Sequence, residues 1–364
     1  MNKLSKVMFV CPYYPPETGG VENYVYNIVD GLIKNYGLDI VIVTTNKQSN
    51  SETIEIQQHK KIYRIPASFT LSNTPINPLW YLTLKRIIDE EKPNLINAHA
   101  PVPFISDIAA LVSGNIPYVL TYHSGTMRKN NIVYDAFIAF YERVIFKFQC
   151  SKAKKIICSS NFVQKTMFSN YKEKTIVITP GVNTDVFFPT KTNIRDKNTV
   201  LFISSFAMMY RMKGLYVLME AIDTFTNVTL KVIGEPIKIN NDKVLFIGRK
   251  YGKDLVEEIQ KASVLVLASL AHVESFGMVL IEAMACKTPV VGTRIGGIPE
   301  VISEGVDGLV VSPNNPNELS SAIKKILDNK GLAEKMGENG YAKVKSTFKW
   351  NYKVKDTFDV FNSI

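Results

Sequence analysis

The stretch that decides the fold is "HVESFGMVLIEAMA", residues 272–285. It predicts a loop that carries Glu274, a helix that starts near Phe276 and Gly277, and Glu282 in the second turn of that helix. Glu282 has no basic residue three or four positions away, so no helical ion pair satisfies its carboxylate. Its neighbours are apolar nearly all round, which argues against two ordinary surface glutamates. The stretch is therefore either buried core or a ligand site.

The start of this helix is suited to an anion. The backbone N–H groups of Gly277, Met278 and Val279 are left free there, at the positive end of the helix dipole, where a diphosphate binds favourably. A carboxylate at Glu282 can accept two hydrogen bonds from a ribose diol, and Glu274 can accept them from sugar hydroxyls. These residue types favour a ligand that carries both hydroxyls and phosphates.

Bulk composition limits the class of protein. A chain of 364 residues predicts two domains of similar size. Its 46% hydrophobic and 21% charged residues are ordinary for a soluble globular protein. Four separated cysteines without CxxC spacing indicate a reducing compartment and argue against a disulfide framework and a zinc site. We find no signal peptide and no membrane span, so we expect a cytoplasmic protein.

The net charge of +10 favours anionic partners. Neither half of the chain is a dedicated polycation, so nucleic acid is not expected as a partner. The densest basic cluster contains Lys147, Lys152, Lys154 and Lys155, and it follows the aromatic-rich "YDAFIAFYERVIF". Two interpretations stay open for it, a solvated helix end and peripheral contact with a membrane surface.

Short apolar runs alternate with helical patterns along the chain, and the series restarts after a polar linker at 188–198. Continuous apolar strands between helices are typical of parallel sheets covered on both faces. The sequence therefore predicts an α/β fold with two doubly wound domains. We place the domains at residues 1–188 and 189–347.

Ligands bind outside the carboxyl ends of the strands in such sheets, so the residues that follow each strand matter most. Gly19 and Gly20 follow the first strand and allow close backbone approach before a helix. This is not a GxGxxG dinucleotide fingerprint. Arg211 and Lys213 precede Gly214 at a helix start, where two cations oppose the helix dipole unless an anion lies between them. The alternative is an exposed loop.

His123 ends an apolar strand and is followed by the small polar loop 124–126. This position allows contact with a substrate, although a lone histidine is as often structural. His99 has the same rim position, and we interpret it as structural or supporting. His59 and His272 have weaker claims.

Together, these residues resemble a known family. "ESFGMVLIE" resembles the EX7E motif of retaining GT-B glycosyltransferases of the family 4 type. "PYYPPETGGVENYV" resembles the glycine loop of that family, and "VITPGVNTDVF" its interdomain segment, with Thr179 and Asn183 as variants. "AMACKTPVVGTRIGGIPEVI" resembles the run after its donor helix, with Lys287 where glycine is common. The resemblance covers nearly the whole chain.

The resemblance implies a GT-B fold, in which two Rossmann-like doubly wound domains face a central cleft. Residues 1–188 would be the acceptor domain and 189–347 the nucleotide-sugar donor domain. The last helix, 348–364, would pack back on the first domain.

The resemblance also implies roles for individual residues. The implied catalytic residues are His123, Lys213 and Glu274. The implied donor-binding residues are Gly19, Gly20, Arg211, Arg249, Phe276, Gly277, Met278, Val279 and Glu282. Glu282 would hold the ribose, the helix start the diphosphate, and Arg249 would lie by the base. His123 and Glu274 would contact the transferred sugar, and Lys213 the leaving phosphate.

Breaking a sugar–phosphate bond builds negative charge on the departing diphosphate, which a lysine, an arginine and a helix N-terminus can stabilise. The chain contains no DxD pair, so neither a metal nor another cofactor is expected. One departure from the family is Ser204-Ser205, where Gly-Arg is common. Arg211 is the candidate replacement for that arginine.

The function implied is transfer of a hexose, with retention, from a UDP- or GDP-linked donor to a glycan or lipid-linked acceptor. Cell-surface polysaccharide or glycolipid synthesis at the inner face of the membrane is the expected context. Two alternatives stay open, a GT-B-type nucleotide-sugar epimerase or hydrolase and a non-catalytic nucleotide-sugar-binding protein. A dinucleotide oxidoreductase ranks below both.

Overall fold

The structure is a computed structural model. It describes residues 4–17, 19–46, 49–71, 74–127, 132–190, 195–270 and 274–364. The chain divides into two compact units, Met1–Thr179 with Trp350–Ile364 (unit 1) and Pro180–Lys349 (unit 2). The division falls before the polar linker at 188–198, because the chain after Thr179 already bonds within unit 2. For example, the N–H of Val182 donates to the carbonyl of Phe348 at 2.7 Å.

Unit 1 is built on a sheet of eight strands in the order β10-β9-β8-β7-β1-β2-β4-β3. All neighbours are parallel except β3 and β4, which form an antiparallel pair at one edge. A separate hairpin is formed by β5 and β6. The strands are β1 Lys6–Val10, β2 Asp39–Asn46, β3 Thr53–Gln57, β4 Lys60–Pro66, β5 Phe69–Leu71, β6 Thr74–Ile76, β7 Leu95–Ala100, β8 Tyr118–Tyr122, β9 Lys155–Cys158 and β10 Thr175–Val177.

Helices connect these strands. They are α1 Gly20–Tyr36, α2 Trp80–Glu91, α3 Ile105–Val112, α4 Ile132–Tyr141, a π-helical turn Glu142–Phe146, α5 Lys147–Lys152, α6 Asn161–Met167 and a 3₁₀ turn Ser169–Lys174. The chain returns to unit 1 at its end in the helix Trp350–Asn362. This last helix packs on α1, where Tyr36 and Phe358 stack with ring centroids 3.7 Å apart.

Unit 2 contains a six-stranded sheet in the order β13-β12-β11-β14-β15-β16, parallel throughout. The strands are β11 Thr199–Ile203, β12 Thr229–Ile233, β13 Val244–Phe246, β14 Val264–Leu267, β15 Val290–Thr293 and β16 Leu309–Val311. The helices are a 3₁₀ turn Ala207–Met209, α7 Leu215–Asp223, α8 Gly252–Lys261, α9 Met278–Ala285, α10 Ile298–Val301, α11 Pro316–Leu327 and α12 Lys330–Thr347. The last helix of unit 1, Trp350–Asn362, is α13.

Both sheets are buried, which explains the continuous apolar strands of the sequence. Each unit has its own hydrophobic core on the two faces of its sheet, as expected for parallel strands covered by helices. The prediction of two doubly wound parallel-sheet domains is confirmed. Across the described residues, no helix combines the length and the apolarity that crossing a bilayer requires.

The strand order reverses once in each sheet, between β1 and β7 in unit 1 and between β11 and β14 in unit 2. Connections leave on opposite faces at such a point, so a crevice opens outside the carboxyl ends of the two strands. In unit 2 the crevice is bordered by the loops that follow β11 and β14. These loops, together with the helix α9 that follows the second one, carry most of the predicted site residues.

Candidate active site

An ion pair joins the two loops of unit 2. The Nζ atom of Lys213, after β11, lies 2.5 Å from Oε2 of Glu274, after β14. The same oxygen accepts a hydrogen bond from Ser269 Oγ at 3.2 Å. The Glu274 side chain is only 10% exposed and that of Lys213 26%. The structure thus brings together two of the three predicted catalytic residues at the switch point of the sheet.

Close backbone approach holds these loops in place. Gly214 has φ +77°, and a Cβ there would lie 1.8 Å from the carbonyl oxygen of Ala268. The N–H of Leu270 donates to the carbonyl of Met212 at 2.8 Å. Because only glycine tolerates this approach, Gly214 sets the position of Lys213.

Two adjacent glycines in the loop after β15, Gly296 and Gly297, support Glu274. The N–H of Gly297 donates to the Glu274 carbonyl at 3.1 Å. Gly296 has φ +59°, and a Cβ on it would lie 1.9 Å from the same carbonyl oxygen. A Cβ on Gly297 would lie 2.0 Å from the carbonyl oxygen of Ser275. The "GGIPE" segment therefore supports the loop after β14 that carries Glu274.

Helix α9 begins where the sequence predicted, with Gly277 as its N-cap and Met278 as its first residue. No backbone acceptor bonds the N–H groups of Gly277, Met278 or Val279 within the part of the chain that the structure describes. These three donors stand at the positive end of the helix. They are free to bind an anion such as a diphosphate.

Phe276, predicted as a donor-binding residue, has a buried side chain that is only 1% exposed. The ring packs edge-on against Phe348, with centroids 5.6 Å apart. The ring therefore anchors the start of α9 in the core, and the predicted contact of this residue with a donor would have to come from its backbone.

Glu282 lies on α9 among buried residues, and its side chain is half-buried. Burial raises the pKa of this carboxyl to about 8, because removal of water disfavours the charged form. Among the described residues its carboxyl has neither a hydrogen-bond nor an ion-pair partner. A half-buried carboxyl without a partner in the described part of the chain can accept hydrogen bonds from a ligand.

Arg249, predicted to lie by the base, is fixed by other groups. Its Nη2 donates to Glu235 Oε1 at 2.6 Å and its Nε to the carbonyl of Ser205 at 2.9 Å. The guanidinium also lies over the ring of Phe206, 4.8 Å from the centroid. Arg249 thus braces the loop after β11. Arg211, the predicted replacement for the missing family arginine, is exposed.

His123 belongs to unit 1, where it follows β8. Its Nε2 lies 2.8 Å from His99 Nδ1, and His99 Nε2 lies 2.9 Å from Asn97 Oδ1. The two imidazoles stack with centroids 5.1 Å apart. Burial lowers the pKa of both imidazoles, and it lowers that of His123 to about 3. The neighbouring His123 lowers the pKa of His99 further. Both rings are therefore neutral at physiological pH.

Gly19 and Gly20 stand at the start of α1 after β1, also in unit 1. Both are exposed. Gly19 is extended, with φ −179°, so its backbone conformation does not by itself require glycine. A Cβ there would meet the carboxylate of Glu22, 2.4 Å from Oε2. The loop thus offers an open backbone surface, and its contact with a ligand stays a prediction.

Sequence reasoning missed several residues of this arrangement. Ser269 and Glu235 were not singled out, because serine and glutamate after a strand carry no motif. Asn97 was missed although it lies two positions before His99 on one face of β7, a spacing that brings alternate side chains together. His272, which has a weaker claim than His123, lies outside the described residues.

The family assignment follows from the matches of the chain to known families. Residues 18–186 match the family model described as Glycosyltransferase Family 4. Residues 185–343 match the one described as Glycosyl transferases group 1. Both describe sugar-transferring enzymes, so the class is that of the glycosyltransferases. The chain belongs to the family 4 (group 1) glycosyltransferases with the GT-B fold, and the predicted resemblance is confirmed.

Individual proteins agree with this assignment. The chain is 29% identical to an uncharacterised glycosyltransferase of Methanocaldococcus jannaschii, over 99% of each chain. It is 23% identical to the O-antigen chain mannosyltransferase C of Escherichia coli, over 97% of this chain and 96% of the other. The structure is similar to that of Anabaena HepE in complex with UDP, with a TM-score of 0.79 at 20% identity, covering 99% of this chain and 100% of the other. At that identity the last match shows the fold alone.

Proposed function

We propose that this protein is a retaining hexosyltransferase that takes its sugar from a nucleotide-sugar donor bound to unit 2. The observation that carries the proposal is a cluster of polar groups at the switch point of unit 2. It comprises the Lys213–Glu274 ion pair and two features that have no partner among the described residues, the N–H groups at the start of α9 and the carboxyl of Glu282. A nucleoside diphosphate sugar contains the matching groups, namely a ribose diol, two phosphates and sugar hydroxyls.

Each group of the donor has a proposed partner. The diphosphate binds the N–H groups at the start of α9 and the ammonium of Lys213. The ribose diol donates to Glu282, and the transferred sugar contacts Glu274 and His123. Arg249, which is braced by Glu235, lies by the base. That HepE was solved with UDP and with UDP-glucose supports a uridine donor, and guanosine is the alternative.

We propose that the reaction needs no metal ion. The departing diphosphate needs positive charge where its own charge develops. Lys213 and the N-terminus of α9 supply such charge from fixed positions, with Gly214 holding the lysine loop against Ala268. Glu274 lowers the mobility of the ammonium through their 2.5 Å contact. Turnover that survives a chelator would support this part of the proposal, and turnover abolished by it and restored by Mg²⁺ would refute it.

We propose a glycan or lipid-linked acceptor and a role in cell-surface glycan synthesis, in keeping with the O-antigen transferase among the relatives. Unit 1 offers an apolar surface on the segment α4–α5, where Phe140 is 62%, Val144 50% and Phe148 42% exposed. The exposed Lys147 and Lys154 lie in and directly after the same segment. Apolar side chains beside lysines favour binding to an anionic lipid surface.

Vesicle flotation tests the lipid contact. The protein is expected to float with vesicles that contain anionic lipid and not with neutral ones, and Phe140→Ser with Phe148→Ser should abolish flotation. A double change at the exposed apolar residues Tyr216 and Tyr251 of unit 2 is the matched control. Equal flotation of both double variants would refute the role of α4–α5.

Transfer is tested with UDP- and GDP-linked hexoses and a panel of glycan and lipid-linked acceptors. The expected result is acceptor-dependent release of one nucleoside diphosphate and an α-linked product from an α-linked donor. Free sugar without acceptor would indicate a hydrolase, and an isomerised donor would indicate an epimerase. Binding without turnover across the panel would indicate a non-catalytic protein.

A further inference from the structure

A line of three side chains in unit 1 ends at His123. Asn97 and His99 both lie on β7, and His123 directly follows the neighbouring strand β8. The contacts are 2.9 Å from Asn97 Oδ1 to His99 Nε2 and 2.8 Å from His99 Nδ1 to His123 Nε2. Asn97 and His99 are each 1% exposed, so no water replaces these bonds.

The direction of the first bond follows from the other contacts of Asn97. Its Nδ2 donates to the carbonyl of Val119 at 3.2 Å and to Thr121 Oγ1 at 2.9 Å. A backbone carbonyl only accepts, so the atom beside it is the amide nitrogen and Oδ1 is the atom that faces His99. An amide oxygen only accepts as well. His99 must therefore carry its proton on Nε2.

The direction of the second bond follows from charge. Burial keeps His99 neutral by lowering its pKa, and a neutral imidazole carries a single N–H. With that proton on Nε2, His99 Nδ1 is an acceptor. The bond at 2.8 Å then requires His123 to donate from Nε2. His123 is neutral too, since burial lowers its pKa to about 3, so its Nδ1 is a bare acceptor.

Aromatic packing fixes both rings in this orientation. Tyr24 meets His123 edge-on at 4.8 Å between centroids. Phe9 stacks on His99 at 5.8 Å. Trp350 of α13 lies against Tyr24 at 5.6 Å. Within the described residues, no hydrogen bond satisfies His123 Nδ1.

We propose that Asn97 and His99 are positioning residues that fix His123 as its Nε2–H tautomer and so present Nδ1 as an acceptor for one hydroxyl of the transferred sugar. The proposal rests on the proposed function, because it takes His123 as a sugar contact. It defines the substrate class more closely, since the donor sugar must carry a free hydroxyl at the position that reaches His123. A deoxy or O-methylated sugar cannot donate there and should be a poor substrate.

The tautomer is measured directly by two-bond ¹⁵N–¹H correlation spectra of histidine-labelled protein. The chain has only four histidines, and His99→Phe and His123→Phe assign the two signals. We expect both rings of the wild-type protein to be protonated on Nε2 alone. Asn97→Leu removes the acceptor of His99, so both rings should move to the Nδ1–H form. Thr121→Val, which removes a neighbouring hydrogen bond of Asn97 from an equally buried site, is the matched control and should leave both tautomers unchanged.

A wild-type His123 protonated on Nδ1 overturns the proposal, even if Asn97→Leu fails to fold. A tautomer that Asn97→Leu leaves unchanged also overturns it. Because these spectra need no substrate, they separate this proposal from the proposed function, which fails instead if no nucleotide sugar is turned over.

Kinetics test the link to the sugar, with donors that lack one hydroxyl at a time. With wild-type enzyme we expect one of the deoxy donors to have a kcat/KM roughly tenfold below that of the complete donor. This loss corresponds to about one hydrogen bond. Asn97→Leu should remove this preference, while Thr121→Val keeps it. If Asn97→Leu shows the same preference as wild type for every hydroxyl of the donor sugar, the proposed role of Asn97 and His99 is refuted.

Discussion

Replacing Glu282 by glutamine should make unit 2 more stable, and the gain should depend on pH. The folded state raises the pKa of this carboxyl from 4.5 to about 8 through burial. Glutamine has nearly the same shape, and no hydrogen bond or ion pair among the described residues is lost with the carboxylate. The change therefore removes the cost of a poorly solvated charge and little else.

The size and sign of this gain in stability follow from the difference in the pKa of Glu282 between the folded and unfolded states. Below pH 4.5 both folded and unfolded states hold the proton, so wild type and variant should differ little. Between pH 4.5 and 8 the unfolded state ionises first, so wild-type stability falls as pH rises. At 1.36 kcal/mol for each pH unit the full difference above pH 8 has a ceiling of about 5 kcal/mol. The side chain is only half-buried, and solvent screening reduces the expected gain to about 1–3 kcal/mol.

Hydrogen exchange measured by mass spectrometry is the assay, because both tryptophans, Trp80 and Trp350, lie in unit 1 and would not report on unit 2. The slowest amides of β14 and β15 should gain protection in Glu282→Gln at pH 8 and little at pH 5. Glu334→Gln, at an exposed side chain of α12, is the control and should change nothing. A gain that is the same at both pH values, or absent at both, would refute the argument from burial.

Further predictions concern the loops around the site. Lys213→Met should lower kcat by about 10²–10³-fold, because the leaving diphosphate loses a stabilising charge. Lys287→Met, on the surface beside Glu338, is the control and should leave kcat unchanged. Equal losses in the two variants would contradict the role of Lys213 at the leaving phosphate. Gly296→Ala should cost about 2 kcal/mol or more of stability, because its Cβ would lie 1.9 Å from a carbonyl oxygen. Gly305 has φ +74° but no neighbour close to a Cβ, so Gly305→Ala measures the backbone strain alone. Equal losses of stability for Gly296→Ala and Gly305→Ala in denaturant unfolding would contradict the steric argument. Phe276→Ala should lower stability by about 3–5 kcal/mol but leave the nucleotide affinity, measured by calorimetry, nearly unchanged.

Most of the fold was readable from the sequence. The parallel strands of both sheets are buried on both faces, so they appear as continuous apolar runs such as those of β1 and β14. The loops that follow them carry glycine and charged residues. These two local patterns, with the strand order that short connections favour, are sufficient for two doubly wound domains.

The composition of the site was partly readable. Lys213 and Glu274 could be named because each follows a strand, but their 2.5 Å contact joins residues 61 positions apart, and no local pattern reveals such a pair. The core packing of Phe276 could not be predicted for the same reason. Its neighbour in the core, Phe348, is distant in sequence, so burial of the ring was invisible.

The hydrogen-bonded line of Asn97, His99 and His123 could not be predicted from the sequence. Whether a histidine is neutral, and which nitrogen carries its proton, depends on burial and on the partners of its partners. Here the decisive atom is the carbonyl of Val119 on the neighbouring strand, which fixes the orientation of the Asn97 amide. Only the register of β7 with β8 places that carbonyl there.

Calorimetric titration of UDP, GDP, ADP and NAD into the protein at pH 7 tests the central claim, a nucleotide site on unit 2, most directly. We expect one nucleoside diphosphate to bind, and Glu282→Ala to weaken it by about 1–3 kcal/mol, with Glu334→Ala unchanged. Because the free carboxyl of Glu282 has a pKa of about 8 and the ribose favours its ionised form, binding should release protons and its heat should vary with the buffer. If no nucleotide binds, or if Glu282→Ala binds as tightly as wild type, Glu282 holds no ribose and the donor site lies elsewhere.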